Sequence, residues 1–110
     1  MPHYLIQWKY KIQAIDTMIE TPQDRAASVR PAVENFNGKL LGFYFCLGEY
    51  DGVAIVEMPS NEAVTAFIMT VLRAGALDEI KTTVLLTPEE TMKAMQLGHD
   101  AGPGYVPPQP

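Results

Sequence analysis

The chain has 110 residues, of which 47% are hydrophobic, a length and composition that fit one globular domain with a real core. Its net charge of −5 and its eight scattered Lys and Arg residues argue against nucleic acid as a main partner. No apolar run approaches the roughly 18 residues of a membrane span, no signal-peptide pattern opens the chain, and the single Cys46 fits a buried thiol in a cytoplasmic protein.

The first elements in chain order are a strand and a short helical turn. Residues 3–10 mix aromatic and β-branched residues with polar ones, which predicts a strand. One face of this strand carries Tyr4, Ile6, Trp8 and Tyr10, and the other carries Leu5, Gln7 and Lys9. Over residues 12–19, Ile12, Ile15, Met18 and Ile19 recur at helical spacing.

A longer helix is expected to begin at Thr21-Pro22, with Pro at its first position, and to run to about Asn37. Gly38 is a plausible residue to end it. Pro31 lies inside this segment and should kink the helix or shift its start, because it removes a backbone hydrogen bond.

Two apolar runs flank Gly48-Glu49-Tyr50-Asp51-Gly52, so residues 39–58 predict a β-hairpin with Tyr50 and Asp51 at its tip. The next helix is expected to start within residues 59–62, with Ser60 or Asn61 as its N-cap, and to reach about Ala74, where Gly75 ends it.

Residues 78–87 predict the last strand. Thr87 and Glu90 have the spacing of a capping box, with Pro at the first helical position, so a terminal helix is expected from there to about Gly98. Residues 99–110 form a Pro- and Gly-rich tail outside the domain of residues 1–98.

The order β-α-β-β-α-β with a C-terminal helix predicts an α+β, ferredoxin-like fold. Both helices would cover one face of a four-stranded antiparallel sheet. We expect aromatic residues on the open face, from Tyr4, Trp8, Tyr44 or their neighbours. Such a face favours a homodimer, or a higher homo-oligomer, in which two sheets enclose a pocket for a small organic ligand.

The turn resembles the signature of the GYD domain family through Gly48, Tyr50 and Asp51. Further matching residues are Tyr4, Gly38, Lys39, Tyr44, Glu57 and Pro59. The resemblance covers roughly residues 2–96 and implies a dimeric α+β-barrel protein of bacterial type, from a family of largely unknown function. The wider group of similar layout includes cofactor-free monooxygenases, lactone isomerases, haem-dependent enzymes and ligand-sensing domains, so the fold alone implies no reaction.

Three residues are candidates for catalysis: Asp51 or His3 as a general base, and Tyr44 as a hydrogen-bond donor. The alternative for Asp51 is capping of the hairpin turn through its side chain. The alternative for His3 is simple exposure near the terminus. Asp51 and Glu57 lie six positions apart, about 20 Å along a strand, too far to act as a carboxylate pair within one chain.

The candidate ligand-binding residues are Tyr4, Trp8, Tyr44, Tyr50 and Glu57. Tyr and Trp offer broad apolar faces with one polar group, which suits a planar aromatic or quinone-like ligand. The alternatives are that the aromatic rings fill a dimer core, that Tyr50 is a packing contact, and that Glu57 pairs with a Lys or faces solvent.

No metal site and no cofactor are expected. His3 and His99 are the only histidines and have no ligand-spaced partners. Cys46 has no basic neighbour in sequence to activate it.

These patterns favour a small-molecule-binding protein, with a cofactor-independent oxygenase or isomerase as one form of that function. The alternative is a non-enzymatic structural or regulatory oligomer in which the tail locks subunits together. The lack of a convincing catalytic constellation favours the alternative, and the aromatic residues of the first two strands favour a pocket.

Overall fold

The computed structural model describes residues 1–110. The strands are β1 (His3–Tyr10), β2 (Lys39–Phe45), β3 (Gly52–Glu57) and β4 (Leu77–Leu85), and the helices are α1 (Ile12–Glu20), α2 (Arg25–Glu34), α3 (Asn61–Arg73) and α4 (Pro88–Ala101). The four strands form one antiparallel sheet in the order β2-β3-β1-β4. The predicted ferredoxin-like α+β fold is confirmed.

The aromatic face of the inner strand β1 packs against the helices. Tyr4, Ile6 and Trp8 are buried in one core with Val33 of α2 and Phe67 of α3. The prediction that Tyr4 and Trp8 lie on the open face is therefore wrong. Strand alternation separates the two faces, but which face lies under the helices depends on tertiary packing.

The open face of the sheet is mixed in character. Leu5 pairs with Ile55 across β1 and β3, and Gln7 pairs with Val53. Lys9 lies opposite Glu79 of β4, and its Nζ is 3.6 Å from the carboxylate. Gln7 and Lys9 therefore lie on the side away from α2 and α3, where their polar groups reach solvent.

The start of α2 differs from the prediction. The segment predicted as a short helical turn forms the full helix α1, and Thr21 closes it by donating its N–H to Thr17 O at 2.9 Å. Asp24 then caps α2, because its Oδ1 accepts the N–H of Ala27 at 3.2 Å. A start at Thr21-Pro22 is therefore wrong by a few residues.

The end of α2 also differs from the prediction. The helix runs through Pro31 and ends at Glu34, and Asn37, not Gly38, adopts the left-handed conformation with φ of 60°. Gly38 is needed for a close approach instead, since a β-carbon there would lie 2.7 Å from the carbonyl oxygen of Glu57 and 2.6 Å from the sulfur of Met58.

The second half of the chain follows the predicted elements closely. Ser60 caps α3 by accepting the N–H of Ala63 at 3.1 Å. Thr87 and Glu90 form the predicted capping box of α4. β4 ends at Leu85, two residues before the predicted end, and α4 continues past Gly98 to Ala101, into the segment predicted as tail. No helix has the length and apolarity needed to cross a membrane.

Helix α4 and the tail extend away from the body. The radius of gyration is 18.0 Å, whereas a compact chain of this length has a value of about 13 Å. No residue of α4 is buried. Helix α1 likewise has no buried residue, so the sheet with α2 and α3 forms the packed body of the molecule.

Candidate functional site

A mostly apolar cavity, partly open to solvent, lies on the helix side of the sheet. Its volume is about 270 Å³, its lining residues come from α2, α3 and the strands, and 14 of the 17 are hydrophobic. The hydrophobic lining residues are Ile6, Trp8, Tyr10, Val29, Ala32, Phe43, Ala54, Val56, Phe67, Val71, Ala74, Ala76, Leu77 and Ile80. The polar ones are Arg25, Ser28 and Thr70.

Aromatic rings form one wall of the cavity. The Trp8 ring centroid lies 5.2 Å from that of Phe43 and 6.3 Å from that of Tyr10, in tilted and edge-on arrangements. Phe45 stacks on the outer side of this group, 6.3 Å from Tyr10. Such pairs hold their rings in defined orientations, so this wall of the cavity is preformed.

Helix α2 supplies the opposite wall through one stripe of side chains. Arg25, Ser28, Val29 and Ala32 follow the i, i+3, i+4, i+7 spacing of a single helix face and all line the cavity. The stripe is polar at the start of the helix and apolar further along. The hydroxyl of Thr70 in α3 donates to Phe67 O at 2.7 Å, so its hydrogen is already used in a hydrogen bond within α3.

Asp51 joins the hairpin turn to the end of β1. Its Oδ2 accepts the N–H of Tyr10 at 2.9 Å, its own N–H donates to Trp8 O at 2.8 Å, and its carbonyl accepts the N–H of Cys46 at 2.8 Å. These contacts are those of a turn-capping residue. Asp51 does not line the cavity.

Tyr50 and Tyr44 lie on the open face. Tyr50 borders a polar groove with Gln7, Cys46, Glu49 and Lys81, and Lys9 Nζ lies 5.8 Å from the centroid of its ring. Tyr44 is opposite Val53 and 67% exposed. Neither tyrosine reaches the cavity.

His3 and Glu57 meet at the far end of the sheet. They are paired residues across β1 and β3, and His3 Nε2 lies 3.1 Å from Glu57 Oε1. Asp51 lies at the opposite end of this strand pair, next to Gly52, which faces Trp8. The two candidate bases, Asp51 and His3, are therefore not brought into one site.

Tyr4 is completely buried and donates its hydroxyl to Asn61 Oδ1 at 2.6 Å. Burial, with a smaller effect of the Glu62 carboxylate, raises the pKa of Tyr4 above its ordinary value of 10.0. The phenol thus remains a donor that ties β1 to the start of α3. Tyr4 lies outside the cavity lining.

Among the predicted site residues, only Trp8 lines the cavity. Sequence reasoning missed Arg25, Ser28 and Phe43. Residues 25, 28, 29 and 32 have the spacing of one helix face, but this spacing predicts a cavity-lining stripe only for a helix that begins at Arg25. No group of three or more His, Cys, Asp or Glu residues is placed to hold a metal ion.

Comparison with known proteins identifies the family. The model of the GYD domain matches residues 4–95. The chain belongs to the GYD domain family. No curated protein matches this GYD domain.

Solved structures similar to this GYD domain share its fold at low identity. An AsnC family transcriptional regulator from Agrobacterium tumefaciens has a TM-score of 0.53 at 15% identity, over 78% of this chain and 50% of that one. A transcriptional regulator from Neisseria meningitidis in complex with L-Met has a TM-score of 0.53 at 14% identity, over 79% and 51%. A protein from Thermus thermophilus has a TM-score of 0.54 at 14% identity, over 79% and 95%. The GYD domain spans about half the length of the two regulators.

Proposed function

We propose that this GYD domain binds a small organic molecule in the cavity between the sheet and helices α2 and α3. The observation that carries the proposal is the cavity itself, about 270 Å³ in volume, mostly apolar and edged by a few polar groups. Small-molecule sites have this composition, and their volumes typically run from about 300 to 1,000 Å³. The ligand is therefore small.

The similar regulators support the proposal at the level of the fold. One of them was solved as a complex with L-Met. A ferredoxin-like unit of this layout is thus compatible with ligand sensing, although a shared fold does not transfer a ligand or its binding position.

Binding without turnover fits the cavity better than catalysis. A cofactor-independent oxygenase or isomerase needs a base within hydrogen-bond reach of its substrate. The cavity lining contains no carboxylate and no histidine. Asp51 and His3 remain candidate bases only for a ligand bound elsewhere, at the hairpin or at the far end of the open face.

We also propose that the chain forms a homo-oligomer. Helix α4 exposes Met92, Met95 and Leu97, and helix α1 exposes Ile12 and Ile19. A soluble monomer rarely leaves so much apolar side-chain surface in water. Because α4 extends from the body, it is well placed to cover an apolar face of a second copy.

The binding proposal is tested by filling the cavity. Ala32 lines it on α2, and Ala27 is exposed on the same helix and does not. Native mass spectra of the protein purified from cells should show bound small-molecule mass in the wild type and in Ala27→Leu, and a bare chain in Ala32→Leu. Equal bound mass in all three proteins would place the ligand outside the cavity.

If the wild-type protein carries no small molecule after purification, binding is tested by adding a probe. Trp8 is the single tryptophan and lines the cavity, so its fluorescence should change when 3-phenylpropan-1-ol is added at millimolar concentration. No change in wild type or Ala27→Leu, together with a bare mass, would contradict the proposed function.

A further inference from the structure

The polar end of the cavity is formed by Arg25 and Ser28. They are three residues apart on α2, which places their side chains next to each other on one helix face, and both line the cavity. Val29 and Ala32 continue the same face into the apolar part. The cavity therefore has one cationic end and an apolar body.

The charge of Arg25 has no carboxylate partner within the protein. The ion pairs are His3–Glu57, Lys9–Glu79 and His99–Asp100. Arg25 Nη1 donates to the neutral Gln23 Oε1 at 3.0 Å. The neighbouring Asp24 carboxylate accepts the N–H of Ala27 instead. Since a guanidinium carries five N–H donors, most of those of Arg25 are free.

Helix stability does not account for a cation at this position. Arg25 is the first residue of α2, and the first turn contains no acidic residue. The N-terminus of a helix carries a partial positive charge, so an Arg at this position is mildly unfavourable for the helix. The same partial charge and the Arg25 guanidinium both attract an anion that enters the cavity.

We propose that Arg25 and Ser28 bind the carboxylate of a small organic acid whose apolar part lies in the cavity against Trp8 and Val71; this rests on the proposed function. A planar guanidinium matches a carboxylate through two parallel N–H···O bonds. The Ser28 hydroxyl adds a third donor. One arginine balances the single charge of a carboxylate, and the remaining lining suits a hydrocarbon or aryl group.

The test compares two probes of the same shape. 3-Phenylpropanoate carries a carboxylate, and 3-phenylpropan-1-ol replaces it with a neutral hydroxyl. Both are titrated into the full chain while Trp8 fluorescence is followed. Arg25→Gln removes the charge and leaves a shorter, neutral polar side chain, and Ser28→Ala removes the hydroxyl. Arg30→Gln is the matched control, since Arg30 is exposed on α2 and does not line the cavity.

We expect the wild type to bind the carboxylate at least ten-fold more tightly than the alcohol. Arg25→Gln should remove that preference without changing alcohol binding, Ser28→Ala should reduce it several-fold, and Arg30→Gln should leave both affinities unchanged. Equal affinity for the two probes, unchanged in Arg25→Gln, would overturn the role of Arg25 while leaving the proposed function standing. No binding of either probe would count against the proposed function itself.

Discussion

The indole ring of Trp8 lies directly against the backbone of Gly52, its paired residue across β1 and β3, and leaves no space for a β-carbon there. The adjacent Asp51 holds the end of the same strand through Tyr10 N–H. The turn that carries the family signature thus positions the aromatic wall of the cavity. Its structural role is to seat Trp8 at the end of the sheet.

Replacing Gly52 by Ala should destabilise the domain by about 1–3 kcal/mol, because the added methyl overlaps the indole ring and forces Trp8 to move. Urea unfolding followed by circular dichroism measures the loss, and Trp8 fluorescence reports the displacement. Gly48→Ala is the control in the same turn, since nothing lies within 4 Å of its β-carbon position. Equal stability of both variants would show that Trp8 is not seated on Gly52.

Replacing Asp51 by Ala should cost about 1–3 kcal/mol, because the Tyr10 N–H loses a charged acceptor. Asp51→Asn keeps an acceptor oxygen and should lose less. Chemical denaturation measures both variants, and Asp78→Ala is the control at an exposed carboxylate of β4. If Asp51→Ala proved as stable as the control, the turn-capping account of this residue would be wrong.

The order of elements could be predicted from the sequence because its signals are local. The hairpin, the Ser60 cap and the Thr87–Glu90 capping box each depend on residues close together in the chain. The face of β1 could not be predicted in this way. Both sides of that strand carry apolar residues, and the choice between them depends on contacts with Val33 and Phe67, far away in sequence.

The candidate site was harder to predict for the same reason. Trp8 was recognised as a ligand-binding candidate, but on the wrong side of the sheet. Arg25 and Ser28 were missed because Thr21-Pro22 offered a convincing but incorrect start for α2, whereas Asp24 is the residue whose side chain caps it. The placement of Tyr44 and Tyr50 on the open face likewise depends on which face of the sheet the helices cover.

Helix α4 should lose helical content in acid. Hydrogen bonds from the backbone and side chain of Thr87 lower the pKa of Glu90 below its ordinary value of 4.5, with a smaller contribution from nearby His3. Because the pKa of Glu90 is lowered in the folded helix, ionised Glu90 stabilises the helix fully at a pH above the ordinary pKa. This stabilisation is lost as the pH falls from the ordinary pKa through the lower pKa of the folded state.

NMR chemical shifts of residues 88–101 across an acid titration measure the effect on α4. Glu90→Gln should flatten this dependence, while Glu89→Gln, the neighbouring control, should retain it. The same acid-induced loss in Glu90→Gln as in the wild type would contradict the assignment to the capping box.

Self-association should depend on α4. Replacing Met92 and Met95 by Lys places charges on exposed apolar positions of this helix, which opposes burial against a second copy. Light scattering coupled to size exclusion should show a smaller particle for this double variant than for the wild type. Gln96→Lys is the control at a polar position of α4.

A chain truncated to residues 1–101, which keeps the whole of α4, tests the tail separately. If the tail locks subunits together, the truncated protein should also form a smaller particle. An unchanged oligomer would rule out that role while leaving α4 as the contact, and a monomeric wild type would contradict the homo-oligomer altogether.

The most direct test of the central claim is to locate a bound probe by NMR. In a complex with 3-phenylpropanoate, the account predicts intermolecular nuclear Overhauser effects from the probe's ring to the methyl groups of Val29 and Val71, which line the cavity. Contacts to the methyl groups of Leu5 and Ile55 instead, on the open face of the sheet, would contradict it.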